Sequence, residues 1–268
     1  MSTYFNQGIH FHYEVEGEGY PLLFNHGLGG DWTQGQEILE HVQGFKKIFM
    51  EMRGHGATNP LGSPEKLNFN QFAEDAFSLI RHLGYEEFIV GGLSMGAAVA
   101  LKMALMVPQS MKALMMIRPA WVNEPNPKNL KAVVALGKLL QKYSLEKAKS
   151  KFLENQDYRE LQEAAPASAD SLIGQFDAPH AKEVAARLIN IPASTPFDHE
   201  TDLERIRVKT LVISTDRDPV HPLWMADYLA IKLPSSLHCI VTSKSEDLDK
   251  HFEELSSHIV EFLEEFRR

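Results

Sequence analysis

The chain is expected to fold as an α/β protein: a mostly parallel central sheet with helices on both faces, and a helical cap inserted into it. Three observations lead there. Short β-branched or apolar runs alternate with helical stretches, the pattern of strands joined by crossover helices. A chain of 268 residues, 44% of them hydrophobic, is long enough to cover such a sheet on both sides. Residues 121–204 break the alternation, reading as helices without a strand. The expected division is therefore a core of residues 1–120 and 205–268, with a cap over 121–204.

The elements follow in order. Residues 3–5 and 9–15 flank Asn6-Gln7-Gly8 and read as a hairpin, which makes the sheet mixed at one end. Residues 21–25 form a strand, followed by the glycine-rich loop His26-Gly27-Leu28-Gly29-Gly30. Residues 32–42 read as a helix and 47–50 as a strand leading into Arg53-Gly54-His55-Gly56. Phe69, Phe72, Ala76, Leu79, Ile80 and Leu83 recur at helical spacing behind Asn68, a suitable cap. A strand at 88–90, a buried helix over 97–107 ended by Pro108, and a strand at 112–117 come next. Asn123-Glu124-Pro125-Asn126-Pro127 opens the cap, whose helices are expected at 130–143, 145–154, 167–176 and 181–188. Strands at 210–214 and 237–241 bracket a helix at 223–233. The closing helix carries Phe252, Leu255, Ile259, Phe262, Leu263 and Phe266 on one stripe.

Composition narrows the function. A formal charge of −9 argues against nucleic acid or an anionic membrane as the main partner. Cys239 is the single cysteine, so no intrachain disulfide can form, and its apolar surroundings suit a small buried hydrophobe. The first residues lack a basic stretch followed by an apolar one, and the apolar run at 97–107 is short and interrupted by Lys102. Neither a signal peptide nor a membrane span is expected, and a cytoplasmic location is the default. Twelve histidines show no metal-ligand spacing, so neither metal nor cofactor is expected.

The chemistry centres on Gly92-Leu93-Ser94-Met95-Gly96, set between a strand and a helix. Such a turn strains the serine backbone and pushes the hydroxyl outward over a helix N-terminus. Acyl transfer by serine also needs a base, an acid to orient it and donors for the oxyanion. Asp218, in Asp218-Pro219-Val220-His221-Pro222 after the strand at 210–214, is the expected acid in preference to Asp216. His251, at the start of the last helix, is the expected base. A helix N-terminus would favour its neutral form. His221 and His55 are read as scaffold, His238 as a strand residue, and His258 as too far along the helix.

With His26-Gly27 after one strand, Arg53-Gly54-His55-Gly56 after the next, the elbow at Ser94, Asp-Pro-x-x-Pro after a late strand and an amphipathic closing helix, the chain resembles the α/β-hydrolase superfamily nearly end to end. Two departures stand out. Thr215 occupies the position where a glycine often precedes the acid, and no Gly-His pair follows the final strand. The resemblance implies an oxyanion hole from the N–H groups of Leu28 and Met95. It implies a small acyl compound as substrate, a carboxylic ester first, cleaved through an acyl-enzyme. C–C bond hydrolysis, lactone opening, thioester cleavage and acyl transfer remain open on the same machinery, as does a non-enzymatic small-molecule sensor. The serine argues against dehalogenase or epoxide hydrolase chemistry, whose relatives carry aspartate at the elbow.

Arg118 and Trp121 sit where sheet meets cap and are the candidate substrate contacts. Arg118 has two readings: recognition of an anionic group on the substrate, or an ion pair with an acidic residue of the cap. The second is favoured, because arginine at a seam usually finds an internal partner.

Overall fold

Along the central strands, alternate residues go to opposite faces and nearly all are apolar, so both faces must be covered. The computed structural model, which describes residues 2–58 and 60–267, shows how. The strands are β1 (Ser2–Asn6), β2 (Ile9–Glu16), β3 (Tyr20–Asn25), β4 (Phe45–Met50), β5 (Phe88–Leu93), β6 (Met111–Ile117), β7 (Lys209–Thr215) and β8 (Ser236–Val241). They form one eight-stranded sheet in the order β1-β2-β4-β3-β5-β6-β7-β8. The β1–β2 and β2–β4 pairings are antiparallel and the rest parallel.

The helices are α1 (Thr33–Ile38), α2 (Phe69–His82), α3 (Met95–Met106), α4 (Lys131–Lys142), α5 (Leu145–Leu153), α6 (Gln156–Ala164), α7 (Pro166–Gly174), α8 (Arg187–Asn190), α9 (Glu200–Leu203), α10 (Leu223–Lys232) and α11 (Leu248–Leu263). Leu23, Ile48, Val90, Leu114 and Val212 share one core with α2, α3 and α10. Their strand neighbours Phe24, Phe49, Ile89, Met115 and Ile213 share the other with α1 and α11. Asn68 caps α2 as its position suggests, its side chain accepting from the Gln71 N–H at 2.9 Å.

Between β6 and β7 the described chain is helical, α4 to α9, with no strand. Its buried residues, among them Leu136, Phe152 and Leu188, join the core that the sheet shares with α2, α3 and α10. Two expectations shorten. The helix expected at 32–42 covers only Thr33–Ile38, because Leu39 leaves the helical region and closes a turn to Val42. The one expected at 181–188 becomes a 3₁₀ turn followed by α8. Two helices, α6 and α9, were unexpected; Asn155 caps α6 by accepting from the Tyr158 N–H. No helix among the described residues is long and apolar enough to cross a membrane.

β4 and β5 lie on opposite sides of β3, so the winding direction reverses between β3 and β5. Ligands of open α/β sheets bind beyond the carboxyl ends of the strands at such a reversal. The loop after β3 carries Gly27 and Leu28, and the turn after β5 carries Ser94.

Candidate active site

Ser94 has φ 54°, ψ −108°, a conformation an L-residue adopts at a cost and keeps only where its surroundings enforce it. Two glycines do so. A Cβ at Gly92 would stand 2.2 Å from the Gly96 carbonyl carbon, and one at Gly96 would stand 2.0 Å from the Asn25 oxygen. Strand, helix and the neighbouring loop can close around Ser94 only without those carbons. The Ser94 N–H is tied to the Ile117 carbonyl at 2.9 Å.

Ser94 Oγ lies 2.9 Å from His221 Nε2. His221 Nδ1 lies 2.8 Å from Asp218 Oδ2. The other carboxylate oxygen, Oδ1, accepts from the Val220 N–H at 3.0 Å and the His221 N–H at 3.3 Å. With the Nδ1 proton directed at Asp218, Nε2 is left to accept from the serine hydroxyl. The local sequence explains the geometry. Asp218 and His221 close a turn, His221 N–H to Asp218 O at 3.1 Å, which folds the imidazole back over the carboxylate. Pro222 then leads directly into α10.

The structure therefore places a histidine other than the expected one against the serine. The serine's imidazole partner is His221, which the sequence reading treated as scaffold, and not His251. His251 is buried, its Nδ1 2.7 Å from the Thr242 carbonyl oxygen and its ring edge-on to Phe252. The cause is helical phase. Asp247 caps α11, and the register it fixes puts His251 on the same buried stripe as Leu255 and Ile259, at i, i+4 and i+8. Asp218 is where the carboxylate was expected, whereas Asp216 is exposed and beside Arg217. His238 bonds Ser214 Oγ from within β8.

Arg118 does find an internal partner, though a different one from that expected. Its internal partner is the carboxylate of Asp218, through Nη2 and through Nε at 3.0 Å, and not an acid of the helical segment. Its backbone, at φ 48°, is held in the left-handed region directly after β6 by a hydrogen bond to Ile213 O. Nη2 also lies 3.2 Å from His221 Nδ1. The charges set the protonation states. Burial alone would raise the Asp218 carboxyl, but the adjoining His221 and Arg118 outweigh it and hold the group well below the usual carboxylate range. Burial lowers His221 below its ordinary 6.5, with Asp218 pulling upward and Arg118 downward. At neutral pH the imidazole is thus uncharged beside an ionised carboxylate.

A cavity of about 190 Å³ opens over Ser94, walled by the turn after β3, the loops after β6, β7 and β8, and the helical segment. Leu28 and Trp121 line it. Met95 opens α3, where a first-turn N–H has no intrahelical acceptor. Trp121 is buried edge-on against Phe69, and its indole N–H has no hydrogen-bond partner. The turn carrying Leu28 is pinned twice. Gly27 N–H donates to Gln34 Oε1 at 2.9 Å, and Gln175 Nε2 donates to Gly29 O at 3.2 Å. Arg187, buried at the start of α8, holds Gln175 Oε1 at 2.8 Å and the Gly54 carbonyl.

The other histidines of the glycine-rich loops support the scaffold. His26 donates from Nδ1 to Gly27 O at 2.8 Å and accepts the Met52 N–H on Nε2 at 3.0 Å. Its ring lies 4.8 Å from that of His55. Burial lowers His26 to about 4 and His55 well below 6.5, so both are neutral.

A family model of the alpha/beta hydrolase fold matches residues 20–252. The chain belongs to that family. A putative carbamate hydrolase of Stutzerimonas stutzeri is 27% identical over 236 residues, 84% of this chain and 85% of its own length. Epoxide hydrolase 1 of Siraitia grosvenorii is 31% identical over 116 residues, 42% of this chain and 36% of its own. Among solved structures, an esterase from Thermogutta terrifontis superposes with a TM-score of 0.76 at 20% identity, covering 99% of this chain and 97% of that one.

Proposed function

We propose that the protein is a serine hydrolase of small acyl compounds, carboxylic esters first, working through an acyl-enzyme. The observation that carries this reading is the unbroken chain from Ser94 Oγ to His221 Nε2 and from His221 Nδ1 to Asp218, at hydrogen-bond distances of 2.9 and 2.8 Å. Ser94 attacks the carbonyl carbon as His221 Nε2 takes the hydroxyl proton. Asp218 holds the resulting imidazolium. The oxyanion of the tetrahedral intermediate is received by the N–H groups of Leu28 and Met95, donors worth roughly 3 kcal/mol each in the transition state. His221 returns the proton to the departing alcohol, then draws one from the water that cleaves the acyl-enzyme.

Residues 121–204 act as the cap that shapes the cavity. Its modest volume, below the roughly 300 Å³ at which drug-sized pockets begin, favours short acyl groups. A serine at the elbow separates this reading from epoxide opening, despite the epoxide hydrolase among the relatives.

A fluorophosphonate probe and a short-chain 4-nitrophenyl ester test the proposal. Labelling and turnover should both vanish in Ser94→Ala. Turnover that survives in Ser94→Ala overturns the reading, and labelling without turnover in the unaltered protein points to a ligand sensor instead.

A further inference from the structure

The cavity over Ser94 has an unbalanced charge. Arg118, Arg217 and Lys244 line it, and Asp218 is the only acidic residue among the described residues that does. Arg118 is bound to that carboxylate. Arg217 is exposed and lies 3.5 Å from Glu246. Lys244 differs from both. It is half-buried in the loop after β8, with Nζ 4.4 Å from the Phe252 ring centroid, and no described carboxylate forms an ion pair with it. Burial, and then the charge of Arg118, push its ammonium below the usual lysine value, outweighing the opposing pull of Glu37 and Asp218, neither of which pairs with it directly. Ser243, beside it, is 3% exposed and also lines the cavity, and its hydroxyl has no hydrogen-bond partner. A buried hydroxyl without a partner is costly, as is a half-buried ammonium near a guanidinium. One ligand group removes both costs: an anion that accepts from Ser243 Oγ and Lys244 Nζ.

We propose that Lys244 and Ser243 form an anion subsite, and that the substrate is a short ester or lactone whose acyl portion carries a carboxylate. This rests on the serine-hydrolase reading for its chemistry, but the subsite itself needs only the cavity. The carboxylate is held at the β8 side while the scissile carbonyl meets Ser94, so one small cavity fixes both ends of the molecule. No bond is made or broken at Lys244. It is a specificity determinant.

The test compares mono-4-nitrophenyl glutarate with 4-nitrophenyl pentanoate, close in shape but different in charge. The ratio of their kcat/KM values should favour the hemiester and fall at least about tenfold in Lys244→Met, the scale expected for a lost hydrogen bond to a charged group. Lys244→Arg should keep most of the preference, and Lys244→Glu should reverse it. A ratio unmoved in Lys244→Met, or equal losses for both esters, overturns the subsite while leaving the serine hydrolase standing. If neither ester is turned over, the chemical reading fails by itself, and glutarate binding decides the subsite. Calorimetry with Ser94→Ala protein should then show glutarate bound and weakened about tenfold by adding Lys244→Met. No binding, or binding indifferent to Lys244, overturns it.

Discussion

His221 and His251 lie in the loop after β7 and the helix after β8, both buried, both in the company of Arg118, and both lowered by that burial. Their partners differ. His221 bridges a carboxylate and a hydroxyl; His251 spends its Nδ1 proton on the Thr242 carbonyl and turns its ring to Phe252. Burial and a depressed pKa therefore do not distinguish a base from a structural imidazole. What distinguishes them is whether one nitrogen is oriented by an anion while the other is left free toward a proton donor.

The contrast can be broken most severely at the serine and its partner. Ser94→Ala and His221→Ala should each lower kcat by about 10⁴- to 10⁶-fold, read from the ester assay with folding checked by circular dichroism. His251→Ala is the control with the opposite expectation: loss of about 1–3 kcal/mol of stability from an unmade buried hydrogen bond, and less than about a tenfold change in kcat. Should the two histidine variants exchange these outcomes, the assignment of the base is wrong.

Next comes the carboxylate. Asp218→Asn should cost about 10²- to 10⁴-fold in kcat, because the imidazole loses the anion that fixes its tautomer. The same substitution frees Arg118, so an accompanying gain in binding of anionic competitors would sharpen the picture of that guanidinium.

The pH profile should sharpen it further. A base must be neutral to act, and His221 sits below its ordinary 6.5. The acid limb of kcat/KM should therefore have its midpoint below that value and be flat near neutrality. A midpoint above it would count against His221. Stability should respond over a related window. His26 has a folded value of about 4 against 6.5 when unfolded, so between these values the unfolded chain binds more protons. The histidine contribution is full above 6.5 and is lost as pH falls toward 4, a trend that chemical denaturation at stepped pH would follow.

The smallest effect concerns the bond between the two parts of the cavity wall. Arg187→Met removes the donor to Gly54 and Gln175 and should lower kcat by no more than about tenfold, with KM moving less. A change in KM alone would make Arg187 a binding element only.

Much of this architecture is written in local signals. Alternating strand and helix runs, the Asn68 cap and the two glycines around Ser94 each act over a few residues, so the succession of elements and the turn at Ser94 could be anticipated. Asp218 was legible through its place after a late strand. The histidine beside Ser94 was not, because the choice between two histidines depends on the phase of α11 and on the closure of a four-residue turn. The signal for His221 was nonetheless present. An aspartate and a histidine at i and i+3, each followed by a proline, form a compact turn whose side chains meet. The short helices α6 and α9 escaped for a related reason: their ends are set by one cap or one turn rather than by a long apolar period.

Arg187 and Gln175 are strung between the carbonyls of Gly54 and Gly29, which belong to the sheet side of the cavity. Roof and floor are thereby coupled in tension. A displacement of Gln175 at the end of α7 therefore pulls on the turn beside Leu28, so the wall of the cavity and the position of the amide proposed to receive the oxyanion are linked through one pair of side chains.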